Sequence, residues 1–185
     1  MPKGAFSPGV PARAGLASTA KPAGAGKPAK SGPAPELARP SIFEFAGGDP
    51  AFLALAAAHH ERCLQEPEIS HAFSHGFNPA HVENLAFYWA EVFGGPPRYS
   101  ETLGGHSGVL EMHARTGAAD DWGQRFVACF VQAVDDARLP DDPELRAALR
   151  AYMEWATDEV MSYAPSESQV PRDLPVPRWG WNGPE

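Results

Sequence analysis

Three Asx-Pro pairs punctuate this chain: Asp49-Pro50, Asn78-Pro79 and Asp142-Pro143. Each couples an N-cap side chain to a residue that a helix accepts in its first turn, so each marks a helix start. Behind every pair, apolar or aromatic residues recur at helical spacing. Phe52, Leu55, His59 and Cys63 follow the first; His81, Leu85, Tyr88 or Trp89, and Val92 follow the second; Leu145, Leu149, Tyr152, Ala156 and Val160 follow the third. Gly94-Gly95-Pro96-Pro97 stops the second helix outright. Pro67 opens a short piece ending near Phe73, and Ser107 to His113 fits another. From about Asp120, the stripe Trp122, Phe126, Phe130, Ala133 and Ala137 fits a longer helix. No segment alternates over the length of a strand, so the domain is predicted to be all-α between about residues 41 and 164.

The flanks read differently. Residues 1–40 hold 8 Pro, 6 Gly and 10 Ala, with six basic residues against one acid. Such a segment cannot bury enough apolar surface to offset its ordering entropy and is predicted to be disordered. Residues 165–185 are Pro-rich, but Trp179 and Trp181 are costly to leave in water, so they are expected to lie back on the domain or on a partner. Beyond residue 40 the chain carries nine arginines, no lysine and 22 acids. That balance argues against a nucleic-acid-binding domain, because phosphate backbones demand clustered cations. No apolar run reaches the ~20 residues of a membrane span, and the amino terminus lacks the apolar stretch of a secretory signal. Cys63 and Cys129 stand far apart in sequence, which fits two free buried thiols in a cytoplasmic protein.

All seven histidines fall between His59 and His113. Neutral imidazole is the commonest metal ligand and a base near neutral pH, so the clustering points to chemistry. His71 and His75 have the spacing that puts two imidazoles on one helical face, although Gly76 follows at once. Asp120, Asp121, Asp135, Asp136, Asp141 and Asp142 sit where helix caps and solvated faces explain them. His113 ends a short helix, nine residues before Trp122, and the helix bearing His81 precedes it. If those helices face each other, the pocket between them carries an imidazole on each side, which suits a flat iron cofactor with one axial ligand. Two other classes stay open on the residues alone. One is a non-haem metal protein using His59 or His60, Glu83 and His113. The other is a haem-free helical interaction module.

The core resembles the group II truncated haemoglobins, short two-over-two helical globins. The residues that carry the resemblance are Phe45-Ala-Gly-Gly48, Glu66-Pro67-Glu68, Phe73, Phe93-Gly-Gly-Pro96 with Tyr99, Gly105-His106, Glu111-Met112-His113 and Asp121-Trp122. They cover about residues 42–163. The resemblance implies haem b, with His113 as the proximal iron ligand beside Met112. Its second ring nitrogen is then expected to donate to a carbonyl and fix the tautomer. Trp122 would offer an indole N–H to an iron-bound diatomic gas, Phe73 would wedge against the haem, and Leu85 would lie over its distal face. Arg98, Tyr99 and His106 are the candidates for the propionates. The family's usual Phe-Tyr pair falls on His59-His60, and its distal position on the next helix falls on His81. Histidine therefore stands where a tyrosine hydroxyl is usual, at His60, and His81 becomes a distal donor or a sixth iron ligand. The resemblance implies reversible binding of oxygen, and of nitric oxide or carbon monoxide. It leaves nitric oxide oxidation or peroxide reduction open, with electrons from an unidentified reductase.

Overall fold

The computed structural model describes residues 39–73, 78–119 and 121–185. Residues 1–38 of the tail, His75 and Asp120 lie outside them. The described residues form α1 (Ile42–Ala46), α2 (Gly48–Gln65), α3 (Pro67–Ser70) with a 3-10 turn His71–Phe73, α4 (His81–Val92), α5 (Arg98–Thr102), α6 (His106–His113), α7 (Trp122–Asp136) and α8 (Pro143–Ser162). A two-stranded ribbon closes the chain, β1 (Trp179–Gly180) antiparallel to β2 (Gly183–Pro184).

Side-chain caps start three of the eight α-helices among the described residues. Asp142 caps α8 by accepting from the Leu145 N–H at 2.8 Å, with Pro143 in the first turn. Glu66 caps α3 the same way through Ile69, again at 2.8 Å. The other two Asx-Pro pairs behave otherwise: Asn78 accepts from the Ala80 N–H at 2.9 Å, and α4 starts at His81 with Ala80 as an N-cap that makes no side-chain bond. Ser41 and Glu44 form a reciprocal capping box that starts α1, and Gly47 at φ 114° ends it. The left-handed turn at Gly47 starts α2 directly, so Asp49 lies inside the helix and caps nothing. Its carboxylate pairs instead with Arg98 at 2.7 Å. At the stop after α4, Gly95 donates its N–H to the Ala90 carbonyl at 2.8 Å. A Cβ there would sit 2.7 Å from that same oxygen and 2.9 Å from the Phe43 ring.

Helix α2 packs on α4 and α7, and α7 packs on α8. The core fills the space between them with Phe52, Leu55, Trp89, Phe130, Leu149 and Tyr152. Phe93 joins its two ends, with ring centroids 5.6 Å from Phe52 and 4.8 Å from Tyr152. Trp179 is buried against Tyr152 and Trp155, at 5.6 and 5.5 Å. Trp181 meets Phe45 edge-on, donates its indole N–H to the Pro40 carbonyl at 2.8 Å, and lies under the Arg39 guanidinium. Both tryptophans thus lie back on the domain. Among the described residues, no helix is long and apolar enough to cross a membrane.

Candidate functional site

His113 is the last residue of α6 and is half-buried. Its Nδ1 lies 2.8 Å from the Val109 carbonyl, one turn back on the same helix. A carbonyl only accepts, so Nδ1 carries the proton and Nε2 keeps its lone pair. This is the tautomer that a ligating imidazole needs, held by the kind of outer hydrogen bond that orients one.

Three rings gather on neighbouring elements. His60 of α2 stands 5.1 Å from both Phe73 and His81, and Phe73 stands 5.7 Å from His81. Burial lowers the pKa of His60. Burial also lowers that of His81, and the charges of His60 and His113 lower it further. Both rings are therefore neutral at pH 7. Leu85 is half-buried one turn after His81 and packs against the main core.

His59 is turned the other way, into the core. Its ring meets Phe126 at 4.5 Å, Trp89 at 5.4 Å and Phe130 at 5.7 Å, with Nε2 3.4 Å from the Cys63 thiol. Burial, then His60 and His81, lower its pKa to about 3. The non-haem metal set is not brought together: among the described residues, no three His, Cys, Asp or Glu are placed to hold a metal ion. His71 is exposed and already in the 3-10 turn, and its expected companion His75 lies outside the described residues. The acidic pairs are accounted for by Arg125 with Asp121, Arg62 with Asp136, Arg146 with Asp135 and Asp141, and the Asp142 cap.

Trp122 is the first residue of α7 and stacks on Phe126 at 5.2 Å. Met112 is 70% exposed. The three propionate candidates have partners within the fold. Both ring nitrogens of His106 are taken inside the fold, Nδ1 by the Tyr88 hydroxyl at 2.6 Å and Nε2 by Glu159 at 3.0 Å. Tyr99 is buried with its ring 5.0 Å from Tyr88, and Arg98 is committed to Asp49. The reason is a packing one: α5 and the start of α6 fold onto Tyr88 of α4, and their polar groups satisfy one another. This buried Tyr88–His106–Glu159 chain was not anticipated; in sequence it left only isolated polar residues on three separate helices.

Helix α6 thus carries an imidazole hydrogen-bonded to its own backbone, and His60, His81 and Phe73 form a cluster of rings in a fold that is mostly helical among the described residues. The donor set fits haem: the Nδ1 hydrogen bond of His113 leaves Nε2 for ligation, and burial favours the neutral forms of His60 and His81. The chain belongs to the bacterial-like globin family, whose model matches residues 41–161. Its fold is that of the group II, two-over-two haemoglobins. The haemoglobin of Thermobifida fusca is 25% identical, with a TM-score of 0.56 over 65% of this chain and 96% of that one. The group II haemoglobin of Agrobacterium tumefaciens is 22% identical, with a TM-score of 0.57 over 68% of this chain and 96% of its own. That of Bacillus anthracis is 18% identical, with a TM-score of 0.58 over 66% and 91%. No curated protein matches the chain significantly in sequence. Membership in a globin family implies haem as the cofactor.

Proposed function

We propose that this protein is a cytoplasmic haem b globin that binds oxygen reversibly, and also nitric oxide and carbon monoxide, with His113 as the proximal ligand. The observation that carries the reading is the His113 Nδ1 to Val109 carbonyl hydrogen bond, which leaves Nε2 as the ligating atom. Haem, when bound, would supply a ferrous iron able to take a diatomic gas, with His113 holding the iron. His60, His81 and Trp122 are the polar groups that would meet the gas. Trp122 is a donor at any ordinary pH, whereas a neutral imidazole donates from one nitrogen and accepts at the other. His60 is buried and His81 and Trp122 are half-buried, and Phe73 and Leu85 would supply the apolar wall. Oxidation of nitric oxide or reduction of peroxide would draw electrons from a separate, unidentified reductase; the sequence carries no Gly-x-Gly-x-x-Gly loop.

The test is an absorption spectrum of the purified protein after haemin addition: ferric, then reduced, then reduced under carbon monoxide. A sharp porphyrin band that moves with carbon monoxide is expected, and its loss in His113→Ala. Unchanged haem content and spectrum in that variant would overturn the assignment of His113. The reduced spectrum before carbon monoxide reports whether His81 or His60 occupies the sixth position.

A further inference from the structure

The helix that bears His113 is poorly equipped to hold itself in place. α6 has eight residues, its N-cap Gly105 offers no side-chain cap, and Gly108 lies in its interior. A helix of this length is unstable alone, and an internal glycine weakens it further. Its position must come from outside.

The segment after α8 supplies that support at both ends. At the start of α6, the His106 N–H donates to the Leu174 carbonyl at 2.9 Å. The Ser107 hydroxyl donates to the Pro171 carbonyl at 2.7 Å and accepts from the Leu174 N–H at 2.9 Å. The approach is close enough that any Cβ at Gly105 would run into the Leu174 carbonyl. Past the end of α6, the Arg115 N–H donates to the Tyr163 carbonyl at 2.8 Å and the Gly117 N–H to Ala164 at 3.0 Å. The Arg115 guanidinium donates to the Ser168 carbonyl at 3.1 Å. Residues 163–174 therefore run antiparallel along α6 from its end to its beginning. Ser107, Glu111 and Arg115 line a cleft of about 540 Å³ whose other wall is residues 168–172. His106 and Leu110, by contrast, are buried in the domain. Beyond Leu174 the chain is anchored by Val176 and Trp179, both buried.

We propose that the C-terminal extension is a splint that sets the position of His113, with Ser107 as the positioning residue at its hinge with α6. The inference rests on the reading of His113 as the iron ligand. Ser107 touches neither cofactor nor gas; it acts through six residues of helix. Its hydroxyl bonds the extension at both Pro171 and Leu174, so its loss loosens the extension from the start of α6, which His106 still ties to Leu174, Tyr88 and Glu159.

The test compares Ser107→Ala, Ser107→Thr and Trp181→Phe in the full-length chain. Trp181→Phe breaks a contact of the extension remote from α6. Amide exchange over α6 is followed before and after haemin loading, and the iron–histidine stretching band is recorded in the ferrous protein. In Ser107→Ala, exchange of the α6 amides should rise about tenfold, the loss expected for two net hydrogen bonds. The stretching band should shift or broaden, Ser107→Thr should restore both readouts, and Trp181→Phe should leave both unmoved. An unchanged band and unchanged exchange in Ser107→Ala would overturn the inference, as would equal changes in Trp181→Phe. Failure of the parent chain to take up haemin would instead strike the globin reading, and the exchange data before loading would still judge the splint.

Discussion

Acid should unfold this protein partly through His59, and a His59→Phe variant isolates that contribution. The ring is 1% exposed, and burial leads the causes that bring its pKa from 6.5 to about 3. The folded state keeps it neutral while the unfolded chain takes up a proton below about pH 6.5. Stability from this residue is therefore complete above that pH and is lost as pH falls toward 3. One pKa unit corresponds to about 1.4 kcal/mol, so the full loss is about 5 kcal/mol, of which about 2 kcal/mol falls between pH 7 and pH 5. Phenylalanine carries no proton and can keep the edge contacts with Phe126, Trp89 and Phe130. Urea unfolding at pH 7, 6 and 5, with haem content matched, measures the difference between variant and parent. Ion-paired groups such as Asp136 and Glu66, whose pKa values are lowered by Arg62 and by the Ile69 N–H in the first instance, titrate in both proteins and cancel. The variant should gain about 2 kcal/mol on the parent from pH 7 to pH 5. Parallel stability curves would refute the claim that the core holds this imidazole neutral.

Gly95→Ala should lower stability by about 2 kcal/mol, seen as a drop in Tm, because the new methyl meets the Ala90 carbonyl and the Phe43 ring. An unchanged Tm would mean that the turn has slack. Tyr88→Phe leaves the buried His106 Nδ1 without its donor, which should cost about 1–3 kcal/mol in chemical denaturation. A loss below a few tenths would show that water replaces the hydroxyl. Cys63 and Cys129 are buried, and burial raises both thiol pKa values, so an aromatic disulfide reagent at pH 8 should label them only as fast as the chain opens. Labelling complete within the mixing time in native buffer would contradict that burial.

The helices were legible where a side chain announces its own local hydrogen bond. Asp142-Pro143 is such a case: its cap is made within four residues, and no distant contact decides it. Asp49-Pro50 failed as a cap because the neighbouring helix α1 imposed its own ending at Gly47. The Ser-x-x-Glu signature at Ser41 that forecasts α1 was present in the sequence and went unread. His113 stood out through the Met-His order of the family, and the carbonyl expected for its second ring nitrogen is that of Val109. The fates of His106 and Arg98 were not legible, since they depend on Glu159 and Asp49, which lie about fifty residues away in the chain. His59 and His60 are adjacent in sequence, yet one faces the core and the other the cluster. Helical geometry separates neighbours by about 100°, and only packing chooses which of the two goes inside.

The contact between Trp181 and Pro40 joins residues 141 positions apart. Closing a loop of that size costs about 4 kcal/mol of chain entropy before any attraction is felt, far more than one indole hydrogen bond returns. The clasp therefore cannot guide the search for the fold; it forms only once the helices have already brought its two sides together. Contacts made after the rate-limiting step leave the folding rate alone and slow the escape from the folded state. By this reasoning Trp181 adds to how long the assembled protein lasts, with little influence on how quickly it assembles.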